Sequence, residues 1–402
     1  MRKLIVAVVL EGYAFLLAWM QSLGGVRTDE AKYLLNIPYP HPPLARWFFS
    51  RTADMPGQEW LWRFVLASLL VQAVWLVWRM ANRQSLEQRF TAAILWLTAA
   101  AFILQAGSIM MAPLTALQGL VLLWLLFERE RRGGAWSAWS ACGIGVFWFV
   151  SLFTAYQAVL YTPVAFAIFR RSRFSLAGQV FFLLAPIAVA GLYALSEPLV
   201  LASFLLAGTK DAGTGFVQKL MQLFQGWSLG GSILLGLTGV AGMLLDRRWT
   251  LFLATGLIAA FLLVSFQPYY AILFLPLFLA GTILLFKKIW HHPAPLIFPH
   301  LVLTAICIML FPPVLLRSPA RDTMRAIVAT GKEGTVLIAG SYGHEWQYES
   351  PFPVRRFVPS LLSDAEAVVC LEKCEGMDEK TWTKLPGMPV ETWVRKAVGG
   401  RG

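Results

Sequence analysis

Two adjacent carboxylates, Asp29 and Glu30, stand in a polar, proline-punctuated stretch, RTDEAKYLLNIPYPHPPLARWFF at 27–49, wedged between two long apolar runs. A segment that only had to reverse the chain needs a few residues, so this one is long for a simple turn. A carboxylate beside an acceptor hydroxyl or amine can take its proton, and cations can steady a departing anion. The same stretch supplies Arg27, His41 and Arg46; later polar segments add Lys210, Lys219, Gln267, Tyr269 and Tyr270. Each has a structural reading as well. One of the two acids can cap the helix that begins near Ala31, and His41 can be a turn residue fixed between prolines. Arg27 and Arg46 can snorkel, Lys210 and Lys219 can be solvated, and Tyr269 and Tyr270 can sit in an aromatic belt.

These residues need a scaffold, and composition says which kind. The chain has 57% hydrophobic and 14% charged residues and a mean hydropathy of +0.62. A water-soluble domain of this length cannot combine those values with a wettable surface, so the chain reads as a polytopic membrane protein. The net charge of +12 is dispersed in short clusters between apolar runs. That is the pattern of loops obeying the positive-inside rule and not of a nucleic-acid-binding face. Cys142 and Cys307 lie in apolar runs and behave as small hydrophobes. Cys370 and Cys374, in CLEKC, either pair in an oxidising compartment or are simply spaced as on a helix.

The first span, 1–23, follows Arg2 and Lys3 and carries Glu11, a carboxylate that must face the bundle interior, either in a functional role or bonded to a neighbouring helix. A second span covers 60–80. The apolar stretch 91–127 is bracketed by Arg89 and by Arg129, Arg131 and Arg132. Basic residues at both ends make it a hairpin whose tip, 105–113, reaches the far face. The stretch 133–169, closed by Arg170, Arg171 and Arg173, repeats this with its tip at 154–157. Residues 174–195 cross outward, and a second external loop is expected at 196–225. Further spans at 226–245, 250–266, 270–286 and 294–316 bring the count to about eleven. An N-terminus in the cytoplasm then places the tail outside and every basic cluster inside.

The expected fold is an all-α polytopic membrane bundle with a small external α/β domain. Residues 1–316 form the transmembrane domain, with external loops at 24–59 and 196–225, and 317–402 form a soluble domain. In that tail TVLIAGSY and AEAVVCLE read as short buried strands, and SPARDTMRAIVATG reads as a helix stopped by glycine. About 85 residues suffice for a small domain of this kind. No repeat period is apparent.

At the first loop the residues resemble a family. DEAKYLL followed by HPPLARW is similar to the first external loop of the GT-C glycosyltransferases, in particular the protein O-mannosyltransferases and the lipid A aminoarabinose transferases. MAPLTALQGLVLLW, FTAYQAVLYTPVAF and QPYYAILFLPLFLAG resemble later segments of the same family. The resemblance implies a GT-C-like bundle that moves a sugar from a polyprenyl-phosphate donor, with inversion, to a hydroxyl or amine of a lipid, glycan or protein acceptor. It implies Asp29 or Glu30 as the base, and Arg27, His41, Arg46, Lys210, Lys219, Gln267, Tyr269 and Tyr270 as donor-binding residues, with help in binding a divalent metal as the other role of His41. A bacterial inner membrane, with the active face toward the periplasm, fits the compact loops.

The chain also departs from the family pattern. Met110, Met111 and Ala112 stand where the family often has Asp before PL, Ala155 where it often has Lys, and Gln267 where a basic residue usually precedes the aromatics. Tyr39 stands where the mannosyltransferases tend to have Asp. These departures weaken the case for a divalent metal without removing it. The alternatives are a lipid or solute transporter or flippase, or a noncatalytic scaffold derived from a GT-C enzyme.

Overall fold

A computed structural model describes residues 2–37, 42–52, 55–198, 202, 215–310, 318–374 and 377–396. Two compact units divide it: Met1–Gln21 with Pro38–Leu315, and Ser22–Ile37 with Leu316–Gly402.

The larger unit is helical. Its elements are α1 (Arg2–Leu23, which continues into the other unit), α3 (Pro43–Ser50), α4 (Gln58–Gln72), α5 (Val74–Met80), α6 (Leu86–Leu97), α7 (Ala100–Gln105), α8 (Met111–Arg132), α9 (Ala138–Thr154), α10 (Thr162–Phe169), α11 (Leu176–Ser196), α12 (Phe216–Leu229), α13 (Ile233–Leu245), α14 (Trp249–Val264), α15 (Phe274–Lys288) and α16 (Ile297–Leu310). Five helices among the described residues are long and apolar enough to cross a membrane: 4–23, 58–80, 111–132, 176–196 and 268–288. The last is 89% buried within the protein and forms the axis of the bundle, whereas 176–196 is only 17% buried and shows Leu176, Phe181, Leu184, Leu192 and Leu195 outward. An apolar exterior of this kind matches a hydrocarbon surrounding, in which every backbone polar group must be satisfied inside its own helix.

Of the two expected hairpins, the second closes on itself. In the second, the Trp136 amide donates to the Arg171 carbonyl at 2.7 Å and the Arg173 amide donates to the Trp136 carbonyl at 3.1 Å, so the two ends of the α9–α10 hairpin meet. The α7–α8 tip is fastened by Gln21, whose Nε2 donates to the Leu104 carbonyl at 2.8 Å, and by Arg63, whose Nη1 donates to the Gly107 carbonyl at 3.2 Å. Glu11 is held by a neighbouring helix: Ser68 Oγ and Gln72 Nε2 donate to its two oxygens at 2.7 and 2.8 Å. Those bonds offset the cost of placing a carboxyl at this depth.

α13 and α15 pack backbone to backbone. A Cβ at Gly242 would lie 1.9 Å from the Gly281 carbonyl oxygen, and one at Gly281 would lie 2.0 Å from that of Gly239. Beside them Thr238 and Thr282 share a hydrogen bond of 2.9 Å. Small residues allow this approach, which gains dispersion contacts where lipid removes any hydrophobic drive between helices. The stretch 216–225, expected in a loop, is helical because Val217, Leu220, Met221 and Phe224 recur at helical spacing. That helix then bends 87° into α13, with Ser232 at φ 78 between them.

The smaller unit is α/β. It contains α2 (Thr28–Leu34), α17 (Pro319–Ala329), β1 (Thr335–Ala339), α18 (His344–Glu349), β2 (Val354–Arg356), β3 (Ala365–Cys370), β4 (Trp382–Lys384) and β5 (Glu391–Arg395). The sheet order is β2-β1-β3-β5-β4: β1 is parallel to β2 and β3, β3 antiparallel to β5, and β5 antiparallel to β4. Period-two alternation in β1 and β3 sends Val336, Ile338, Ala367 and Val369 to the face covered by Ala320, Met324 and Ile327 of α17. Leu337, Val368 and Cys370 go to the other face, under Trp382. Cys370 and Cys374 form a disulfide, which decides between the two readings of CLEKC.

Candidate functional site

Arg27, Asp29 and Glu30 lie in the smaller unit, on or next to α2. Glu30 is fully buried, and its carboxylate accepts the Arg27 amide at 3.0 Å. This is the acid of a helix N-terminus, satisfying a donor that has no partner within the helix. Asp29, one residue earlier, keeps 33% of its side chain exposed and pairs with Lys32 Nζ at 2.8 Å. Of the two acids, Asp29 is the one accessible for proton transfer.

The N-terminal end of α2 and the residues before it are fixed from the C-terminal chain. Thr28 Oγ1 donates to Glu345, and the Val26 amide donates to Glu349 at 3.3 Å. Arg321 grips Glu349 through Nε and Nη2, at 2.8 to 3.1 Å, while its Nη1 donates to the Ser22 carbonyl at 2.9 Å. Asp29 thus stands on a helix positioned by residues some three hundred positions away. Arg321, Glu345 and Glu349 escaped the sequence reading, since no local spacing marks them.

In the larger unit, Arg46 lies on α3, which packs on α9. Its guanidinium is within electrostatic reach of Tyr156. Among the described residues its buried Nε has no hydrogen-bond partner and Arg46 has no ion-pair partner. Gln267 precedes the 3-10 turn Pro268–Leu273, and its carbonyl accepts the Tyr270 amide at 3.0 Å. Gln157 Nε2 donates to the Tyr270 hydroxyl at 3.0 Å, while the buried Gln157 Oε1 is unpartnered among the described residues. The Tyr269 and Tyr270 rings meet edge-on with centroids 4.5 Å apart. Gln267, Tyr269 and Tyr270 are therefore brought together, with Gln157 as a member that the sequence marked only as a polar residue at a hairpin tip.

Arg63, fully buried, is clamped by Glu59 at 2.7 Å. The pair is spaced i,i+4 at the start of an apolar run, a signal the sequence reading passed over. Lys219 lies on α12, half-buried and without an ion-pair partner among the described residues. His41 and Lys210 lie outside the described residues. Among the described residues no group of three or more His, Cys, Asp or Glu could hold a metal ion.

No family model matches the chain, and no curated protein matches it. Among solved structures, one similar chain is an oligosaccharyltransferase. It comes from Archaeoglobus fulgidus, in a crystal structure of its complex with Zn and sulfate, and aligns at a TM-score of 0.48 and 13% identity over 90% of this chain and 67% of that one. A likeness this loose decides neither fold nor activity.

The two halves of the inventory offer different chemistry. The smaller unit offers an accessible carboxylate on a rigidly capped helix. The larger offers a guanidinium with no ion-pair partner among the described residues, with a tyrosine pair and an amide at the end of the bundle away from the basic clusters.

Proposed function

We propose that the protein is an inverting glycosyltransferase of the GT-C type, moving a sugar from a polyprenyl-phosphate donor to a hydroxyl or amine acceptor. The observation that supports this most directly is Arg46. It belongs to the HPPLAR segment on which the family resemblance rests, and no carboxylate neutralises it among the described residues. A buried donor without a partner is costly unless a ligand completes it, and a guanidinium suits a phosphate oxygen.

Asp29 is assigned as the general base and Arg46 as the principal contact to donor phosphate. Arg27, His41, Lys210 and Lys219 assist with the anion, and Gln267, Tyr269 and Tyr270 contact the headgroup. The acceptor loses its proton to Asp29, its oxygen or nitrogen attacks the anomeric carbon, and the lipid phosphate leaves from the opposite face. Configuration inverts in that single displacement.

The topology belongs to the same proposal. The five long helices, the bent α12–α13 pair, the four shorter apolar helices and the broken α6–α7 rod together make eleven crossings. The N-terminus is then cytoplasmic, and the C-terminal unit lies on the far side, in a bacterial periplasm.

The test is transfer of radiolabelled sugar from a polyprenyl-phosphate sugar by the purified chain in lipid nanodiscs. Asp29→Asn is expected to lower the rate constant by about 10²–10⁴. Full activity in that variant removes the base assignment. Movement of the donor lipid across vesicle membranes without sugar transfer would favour a flippase instead.

A further inference from the structure

At the end of the bundle opposite Arg46, the termini of several helices form a charged cavity of about 370 Å³, within the range of small-ligand clefts. Its wall carries six cations, Arg79, Arg83, Arg131, Arg171, Arg248 and Lys287, against two acids, Glu128 and Glu130. Both acids are already shared. Glu128 pairs with Arg131 and with Arg132, the latter at 2.6 Å, and Glu130 pairs with Arg248 and with Arg171, the latter at 3.1 Å. Arg248 also holds Asp246 at 2.6 Å, which in turn meets Lys288 at 3.5 Å.

Arg79, Arg83 and Lys287 have no ion-pair partner among the described residues, and Arg83 is aimed by a 2.7 Å hydrogen bond to the Arg131 carbonyl. Charges that merely set topology can spread over a wet surface, whereas these converge on one space. Met80, Phe127 and Leu284 complete the wall. A second cavity of about 480 Å³ shares Glu130, Arg171 and Arg248 and adds Phe166 and Trp249. A cationic recess with apolar walls at the membrane boundary matches a ligand that is anionic at one end and greasy at the other.

We propose that this cavity is a binding site for the phosphate headgroup of an anionic membrane phospholipid. It lies at the other end of the bundle from Arg46, Gln157 and Tyr270 and stands whether or not their assignment to glycosyl transfer holds.

Purified full-length chain in neutral detergent is titrated with phosphatidylglycerol, with phosphatidylcholine and with inorganic phosphate, following the thermal unfolding midpoint. A saturable rise is expected with phosphatidylglycerol alone. The double variant Arg79→Gln, Lys287→Gln, which leaves the paired residues intact, is expected to weaken the apparent affinity by roughly tenfold or more. A separate measurement on the unmutated chain uses phosphatidylglycerol with a photoreactive headgroup, and cross-links are expected at the ends of α5, α8 and α15. An equal rise with phosphatidylcholine, a rise reproduced by inorganic phosphate, an unchanged affinity in the double variant, or cross-links confined to other regions would each overturn the proposal.

Discussion

Neighbouring carboxylates have been given different work by their surroundings. Glu30 is buried and bonded to a backbone amide, while Asp29 is partly exposed beside Lys32. Glu30→Gln should therefore lower the stability of the smaller unit by about 0.5–2 kcal/mol and leave transfer near its original rate. Asp29→Asn should do the reverse, and measuring both properties on both variants separates the roles. The pair DE was readable as chemically loaded; which member caps the helix was not, because the helix they stand on packs against 344–349, some three hundred residues away. Asp246 makes a further case. Burial pushes its pKa up, but the hydrogen bonds and charges of Arg248 and Lys288 outweigh that and hold it below the ordinary carboxylate value. A lowered folded-state pKa means stability that is complete above the unfolded-state value, about 3.9, and lost as pH falls through the folded value. The unfolding midpoint in detergent should drop across that acid window, and Asp246→Asn should flatten part of the drop.

Between elements, the decisive contact is the backbone approach of α13 to α15. Gly242 and Gly281 leave no room for a side chain, and the obstacle is backbone, which cannot rotate away. Gly242→Ala should cost about 1–3 kcal/mol through overpacking, whereas Gly256→Ala, on α14 with open space around it, should be nearly neutral. Thermal unfolding of the two variants in one detergent checks the difference, and equal midpoints would contradict it. The helices themselves were legible because apolar runs and bracketing arginines are local signals, as in the hairpin closed at Trp136 and Arg171. The break between α12 and α13 was not. Gly230, Gly231 and Ser232 could as well lie inside one crossing, and the bend is held by packing of the preceding helix against α14 and the turn at 268–273.

For the molecule as a whole, the sequence order conceals one association: 22–37 belongs with the C-terminal chain and not with the bundle it interrupts. The polar composition of 27–37 sets it apart from the apolar runs on either side but does not say where it docks, since the contacts that carry it, Thr28 with Glu345 and Ser22 with Arg321, span the length of the chain. The proposed sidedness can be read from the same framework. Cations from distant stretches line one cavity at one end of the bundle, and the proposed alternation of eleven crossings would put them in a common compartment and send the chain's two ends to opposite sides. Cys370 and Cys374, joined in the smaller unit, should then face an oxidising space. In intact cells a membrane-impermeant maleimide should label these two cysteines only after mild reduction, and should label a cysteine introduced as Arg132→Cys only after the membrane is permeabilised. Labelling of Arg132→Cys in intact cells, with protection of the reduced pair, would invert the topology and place Asp29 on the wrong side for an external acceptor.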